Sequence, residues 1–165
     1  MEIKIRVAEE RDMEALLEIY NHEVLYGTAT FDLSPKTLED RKPWFYAHNV
    51  DNHPLLTAEV DGAVAGYASL SPYREKEGYR ATVELSVYIA AACRGKGVAT
   101  ALIEAILRIA REREDIHTVV SVITAGNEAS VRLHEKFDFV FCGEMNEVGE
   151  KFGKRLGTVS YQLMV

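Results

Sequence analysis

Apolar and polar residues alternate in Ile3–Val7 ("IKIRV"), the period of a half-buried strand, and apolar residues then return at helical spacing at Met13, Leu16, Leu17, Tyr20 and Val24. Strand then helix is predicted. Ser34 and Pro35 offer an N-cap and a first-turn proline for a second short helix, which Pro43 should kink or restart before Trp44 and Phe45. The run "LLTAEVDGAVAGYASL" reads as two strands joined at Asp61-Gly62, the strongest hairpin signal in the chain. "TVELSVYI" is a further strand. After a glycine-rich loop, Val98, Leu102, Ala105, Ile106 and Ile109 mark one apolar helix face. "HTVVSVITA" reads as a buried strand, Asn127 as the cap of a helix reaching Phe137, and "FVFCGEM" with "GTVSYQLMV" as two closing strands. The order is βα, α, ββ, βαβαββ. No internal repeat, low-complexity tract or linker interrupts it, so one α/β domain over residues 1–165, built on one sheet, is expected.

Composition narrows the function classes. With 165 residues the chain is long enough to bury a core without staples. A formal net charge of −7 argues against a general nucleic-acid or membrane-surface role, so any anion is bound locally. Cys93 and Cys142 show no metal-binding spacing, and neither a disulfide nor a metal site is expected. The N-terminus mixes charges with apolar residues from the start, unlike a signal peptide, and no apolar run approaches the roughly 20 residues that span a bilayer. A cytoplasmic location is the expectation.

The chemistry begins at "IAAACRGKGVAT". Arg94, Gly95, Lys96, Gly97, Val98, Ala99 and Thr100 occupy the handover from strand to helix, where the first helical N–H groups have no internal partner. Glycines allow close approach, the helix dipole favours negative charge, and the two cations add to both. A pyrophosphate suits such a loop. The Walker pattern fails because Gly97 follows Lys96, and the dinucleotide pattern fails because Thr100 stands where glycine is required. On these residues alone the loop is either an anion cradle or a plain turn.

The order "VELSVYI…RGKGVATALI" followed by "AGNEASVRLHEKF" resembles the GNAT superfamily of acyl-CoA-dependent N-acyltransferases, with Arg94, Gly97 and Ala99 on its pyrophosphate motif. "IYNHEVLYGTATFDLSP", "GYASLSPYREKEGYRATVELSVYI" and "VGEKFGKRLGTVSYQLM" further resemble its phosphinothricin and methionine sulfoximine acetyltransferase branch, across nearly the whole chain. The resemblance implies a mostly antiparallel sheet flanked by helices, acetyl-CoA as cosubstrate, a small amino-acid-like amine as acceptor, and a homodimer. Three positions depart from the branch. Asp138 replaces a usual glycine and must adopt a left-handed conformation, Leu85 stands where histidine is frequent, and Pro43 replaces an ordinary helical residue.

Acyl transfer to an amine requires that the ammonium lose a proton. Glu84, just upstream of the strand that pairs with pantetheine in the resembled fold, is the candidate base, and burial among apolar neighbours would raise its pKa. The alternative is a surface carboxylate. The resemblance gives Val87, Tyr88 and Ile89 backbone contacts to pantetheine, and Asn127 and Ser130 contacts to the CoA arm; Asn127 is equally an ordinary cap. His134 stands where many members carry the tyrosine that protonates the departing thiolate, and is a second catalytic candidate beside a structural alternative. Arg74, Tyr79 and Arg80 offer a basic loop suited to an acidic group on the acceptor, or simply a solvated surface. Phe31 and Tyr26 resemble an aromatic wall for a small side chain. A polyamine or protein N-terminus as acceptor, and a non-catalytic acyl-CoA sensor, remain as other readings.

Overall fold

Asp61 and Gly62 turn the chain as their residue types demand: both take positive φ, 52° and 81°, the pairing of a type I′ hairpin turn. The computed structural model describes residues 1–165. In chain order it contains β1 (Ile3–Val7), α1 (Met13–Tyr26), α2 (Leu38–Tyr46), β2 (Leu55–Val60), β3 (Ala63–Pro72), β4 (Thr82–Ile89), α3 (Val98–Glu112), β5 (Thr118–Thr124), α4 (Glu128–Lys136), β6 (Val140–Lys151) and β7 (Lys154–Met164). The seven strands form one sheet in the order β1-β2-β3-β4-β5-β7-β6. Every neighbouring pair is antiparallel except β4 and β5. No helix is long and apolar enough to cross a membrane.

The pleat sends successive side chains to opposite faces, and each face has its own core. Leu55 and Leu56 are adjacent, yet Leu55 packs with Met13, Leu16 and Ile19 of α1 and Phe45 of α2, whereas Leu56 joins the core under α3. In α3 the predicted Val98, Leu102 and Ile106 are fully buried, joined by Ile103, Leu107 and Ala110, while Ala105 and Ile109 flank them half-buried. Truncating a leucine in such a place costs about 2–5 kcal/mol, so this helix anchors the sheet face from which the glycine loop emerges.

Two expectations about α2 are corrected. Its N-cap is Thr37, not Ser34: Asp40 N–H donates to Thr37 Oγ1 at 3.1 Å and Thr37 N–H to Asp40 Oδ2 at 2.9 Å, a reciprocal box that outcompetes the Ser-Pro start. Pro43 does not restart the helix, which runs through it. At the sixth helical position its missing N–H forfeits a single bond, to Glu39. The two closing strands are also longer than the sequence suggests. Strand β6 is the sheet's edge, almost entirely exposed, and two bulges break its period, so alternation ends long before pairing does. Asp138 takes the left-handed conformation at φ 68°, as expected.

Candidate active site

Strands β4 and β5 pair only from Thr82–Glu84 to Thr118–Val120. Beyond Glu84, β4 continues against β3 as far as Ile89, and β5 continues against β7 as far as Thr124. The two strands splay apart. The wedge between them is a cavity of about 600 Å³ whose walls include the whole run Glu84–Ile89, Ser121–Thr124 of β5, and the first two turns of α4. On their β5 side, the backbone groups of Leu85–Ile89 therefore face the cavity instead of a strand.

The glycine loop sits at one end of this wedge. Gly95 and Gly97 take φ of 73° and 84°, and a Cβ at either would meet nothing within 4 Å. Backbone conformation, not crowding, is what calls for glycine there. Gly97 caps α3, its carbonyl accepting from Ala101 N–H at 3.1 Å, so the N–H groups of Val98, Ala99 and Thr100 precede the first intrahelical bond. Donors without an intrahelical partner at a helix start fit a pyrophosphate. Arg94 and Ala99 line the cavity; Gly95, Lys96, Gly97, Val98 and Thr100 do not, and the Val98 side chain is buried in the core. The Arg94 guanidinium donates to Glu23 Oε2 at 2.9 Å, tying the loop to α1.

Glu84 lies where the splay begins, half-buried in the cavity wall. Burial raises its pKa above the ordinary carboxylate value. Its strand runs between β3 and β5, so the surface-carboxylate alternative does not describe it. Leu85 beside it points away into the α3 core.

His134 and Ser121 face each other across the cavity floor. The His134 Nδ1 lies 2.7 Å from the Ser130 carbonyl, which can only accept, so Nδ1 carries the hydrogen. Nε2, 2.7 Å from Ser121 Oγ, is then the acceptor of the serine hydroxyl hydrogen. Burial lowers the imidazole's pKa, outweighing the bond to the Ser130 carbonyl, which raises it. A neutral ring with no hydrogen on Nε2 is not arranged to protonate a leaving group. Asn127 caps α4, accepting from Ser130 N–H at 3.3 Å, and both residues line the cavity.

The acceptor candidates divide. Phe31 is in the cavity wall, but Tyr26 stands outside it, 73% exposed at the end of α1. Arg74, Tyr79 and Arg80 surround a separate cavity of about 160 Å³ together with Thr82. Lys76, Glu75 and Glu77 also line it, so its charge is mixed; Thr82 lies two residues before Glu84 on the same face of β4, and Glu84 itself lines only the larger cavity.

Three residues escaped the sequence reading. Glu23 had a signal, since a carboxylate at spacing three and four from Tyr20 and Ile19 falls on the buried face of α1. Ser121 alternates with apolar residues in β5 and had none, and Lys151, 3% exposed, lay beyond the strand as predicted.

A splayed parallel pair, a cationic glycine loop at a helix start and a half-buried carboxylate thus meet at one cavity. The family described as "Acetyltransferase (GNAT) family" matches residues 13–139. The chain belongs to the GNAT acetyltransferases. This GNAT chain is 38% identical to the phosphinothricin N-acetyltransferase of Streptomyces coelicolor over 164 residues, covering 98% of this chain and 95% of that protein. It is 40% identical to the L-methionine sulfoximine/L-methionine sulfone acetyltransferase of Pseudomonas paraeruginosa over 164 residues, covering 99% and 95%. Its fold matches a GNAT superfamily phosphinothricin acetyltransferase from Sinorhizobium meliloti, solved in complex with acetyl-CoA, with a TM-score of 0.94 and 30% identity over 100% of this chain and 89% of that one. Acetyl-CoA is the cosubstrate of this GNAT enzyme.

Proposed function

We propose that the protein transfers an acetyl group from acetyl-CoA to the α-amine of a small amino acid or analogue of the phosphinothricin or methionine sulfoximine type. The observation that carries this reading is the fork at Glu84. The larger cavity runs from there along β4 to the glycine loop, and Arg74 and Arg80 line a second cavity beside Thr82, two residues before Glu84. The pyrophosphate is held by the N–H groups of Val98–Thr100, the pantetheine by backbone groups of Val87–Ile89, and the arm by Asn127 and Ser130. Bound acetyl-CoA supplies the activated acyl group.

The acceptor binds with its acidic group near Arg74 and Arg80, its side chain against Phe31 and its nitrogen near Glu84. An α-ammonium cannot attack a carbonyl carbon until it loses a proton. Glu84 takes that proton, directly or through a water, and its raised pKa makes it a better base near neutrality. His134, neutral and held by Ser121 and Ser130, orients the cavity floor instead of donating a proton.

A homodimer is part of the proposal, supported by the edge position of β6 and its exposed Val140, Phe141, Met145 and Val148; so is a cytoplasmic location. The deciding experiment is thiol release from acetyl-CoA across an amine panel. Turnover is expected with methionine sulfoximine or phosphinothricin at much lower KM than with spermidine or a peptide N-terminus. Equal turnover with all amines, or none, would refute it.

A further inference from the structure

Between α1 and α2 the chain crosses the edge of the cavity as an irregular segment, Gly27–Asp32, that is tied down from several elements. Thr124 Oγ1, on β5, donates to the Thr28 carbonyl at 2.6 Å. Ala29 N–H donates to Glu23 Oε1 at 3.1 Å. Tyr20 shares its hydroxyl with Thr30 and Asp32. The Phe31 ring lies against Gly149 of β6, where a Cβ would stand 2.3 Å from a ring carbon. From the end of β6, the Lys151 ammonium donates to the carbonyls of Thr30 at 2.9 Å and Glu23 at 3.2 Å. Ala29, Thr30 and Phe31 line the cavity.

Two of these anchors are buried charges. Glu23 fits only because Gly27 lacks a side chain: a Cβ there would lie 1.9 Å from Glu23 Oε1. Lys151 forms no ion pair closer than 4.0 Å, its polar contacts being backbone carbonyls, although an ammonium withdrawn from water is costly. A methionine would fill the same space more cheaply. What the ammonium does that methionine cannot is hold two carbonyls, one on α1 and one beside Phe31, at fixed positions.

We propose that Lys151 is a positioning residue for the amino-acid acceptor, holding Gly27–Asp32, and through it the Phe31 ring, at the distance from Glu84 that the acceptor occupies. This rests on the acetyl-transfer reading. Glu23 couples the same segment to Arg94 and hence to the pyrophosphate loop, so a change there disturbs both substrates. Lys151 reaches Glu23 only at its backbone carbonyl, so the tie between the Glu23 carboxylate and Arg94 does not run through it.

The test compares the parent with Lys151→Met, and with Thr124→Val, which cuts a different anchor without removing a charge. The loss of one such charge-assisted bond should raise the acceptor KM about tenfold in Lys151→Met. The acetyl-CoA KM should stay within about twofold, and amide exchange across Ala29–Asp32 should accelerate. Thr124→Val should show the same acceptor shift. An acceptor KM unchanged in both variants overturns the proposal, as does an equal rise for both substrates. A parent that releases no thiol with any amine would refute the acetyl-transfer reading instead, and unchanged amide exchange in Lys151→Met would then overturn the anchoring itself.

Discussion

Replacing Glu84 with glutamine keeps the size of the side chain and removes its ability to take a proton. Glu84 is half-buried at the fork of β4 and β5, and burial alone accounts for its raised pKa. General-base catalysis contributes about 10²–10⁴-fold. At about 1.36 kcal/mol per decade, Glu84→Gln should add about 2.7–5.4 kcal/mol to the barrier. The pH dependence should separate this role from a structural one. In the parent, kcat/KM should rise with pH as the Glu84 carboxyl ionises, along a limb displaced above the usual carboxylate range, and the variant should lack that limb. Its deficit should shrink as pH approaches the amine's own pKa, where solvent supplies free amine.

Stability should move the other way. A folded-state pKa raised by burial means that the protonated carboxyl stabilises the fold below the unfolded pKa, and that this contribution is lost as pH rises through the folded pKa. At neutral pH the parent therefore carries a desolvated charge that glutamine does not. Glu84→Gln should melt above the parent near pH 7 and lose that advantage near pH 4. Thiol release at saturating acetyl-CoA across the pH range, with thermal melts at both ends, tests both halves. Turnover within about threefold of the parent at pH 7 would show that deprotonation does not pass through Glu84.

Gly97→Ala places a side chain at φ 84° in open space, so the cost of about 1–3 kcal/mol falls on the backbone that presents the α3 N–H groups; acetyl-CoA affinity measured by calorimetry should drop about tenfold or more. Arg80→Ala, and separately Arg74→Ala, should raise the KM of an acidic acceptor with the acetyl-CoA KM unchanged, and an equal loss with an amine lacking an acidic group would contradict the contact. Ser121→Ala leaves His134 Nε2 without its donor in a buried site, at a cost of about 1–3 kcal/mol in a denaturant melt. Its kcat should remain within a few-fold under the proposed orienting role of His134, and a loss of about 100-fold or more would contradict that role.

Much of the chain is legible from local chemistry alone. Asp61-Gly62, the period of α3, the Asn127 cap and the left-handed Asp138 are each decided within a few residues, by turn geometry, amphipathic spacing, a side-chain acceptor and a tolerated φ. The positive φ of Gly95 and Gly97 and the helix start at Val98 belong with them, although those residues alone left an anion cradle and a plain turn both open. What the sequence left open depends on partners far along the chain. That β4 parts from β5 at Glu84 follows from β3 and β7 claiming the two strands separately, and no feature of "TVELSVYI" contains it. Burial keeps His134 neutral, and which ring nitrogen holds its hydrogen is decided by Ser121, thirteen residues away, and by a helical carbonyl. Lys151 reads as an exposed lysine until the β6–β7 hairpin carries it under the loop that follows α1, 121 residues from the Thr30 carbonyl it holds. Hydrogen-bond partners and burial are properties of the assembled neighbourhood, so the chain's own order determined which groups were available, and tertiary structure alone decided which of them met at the site.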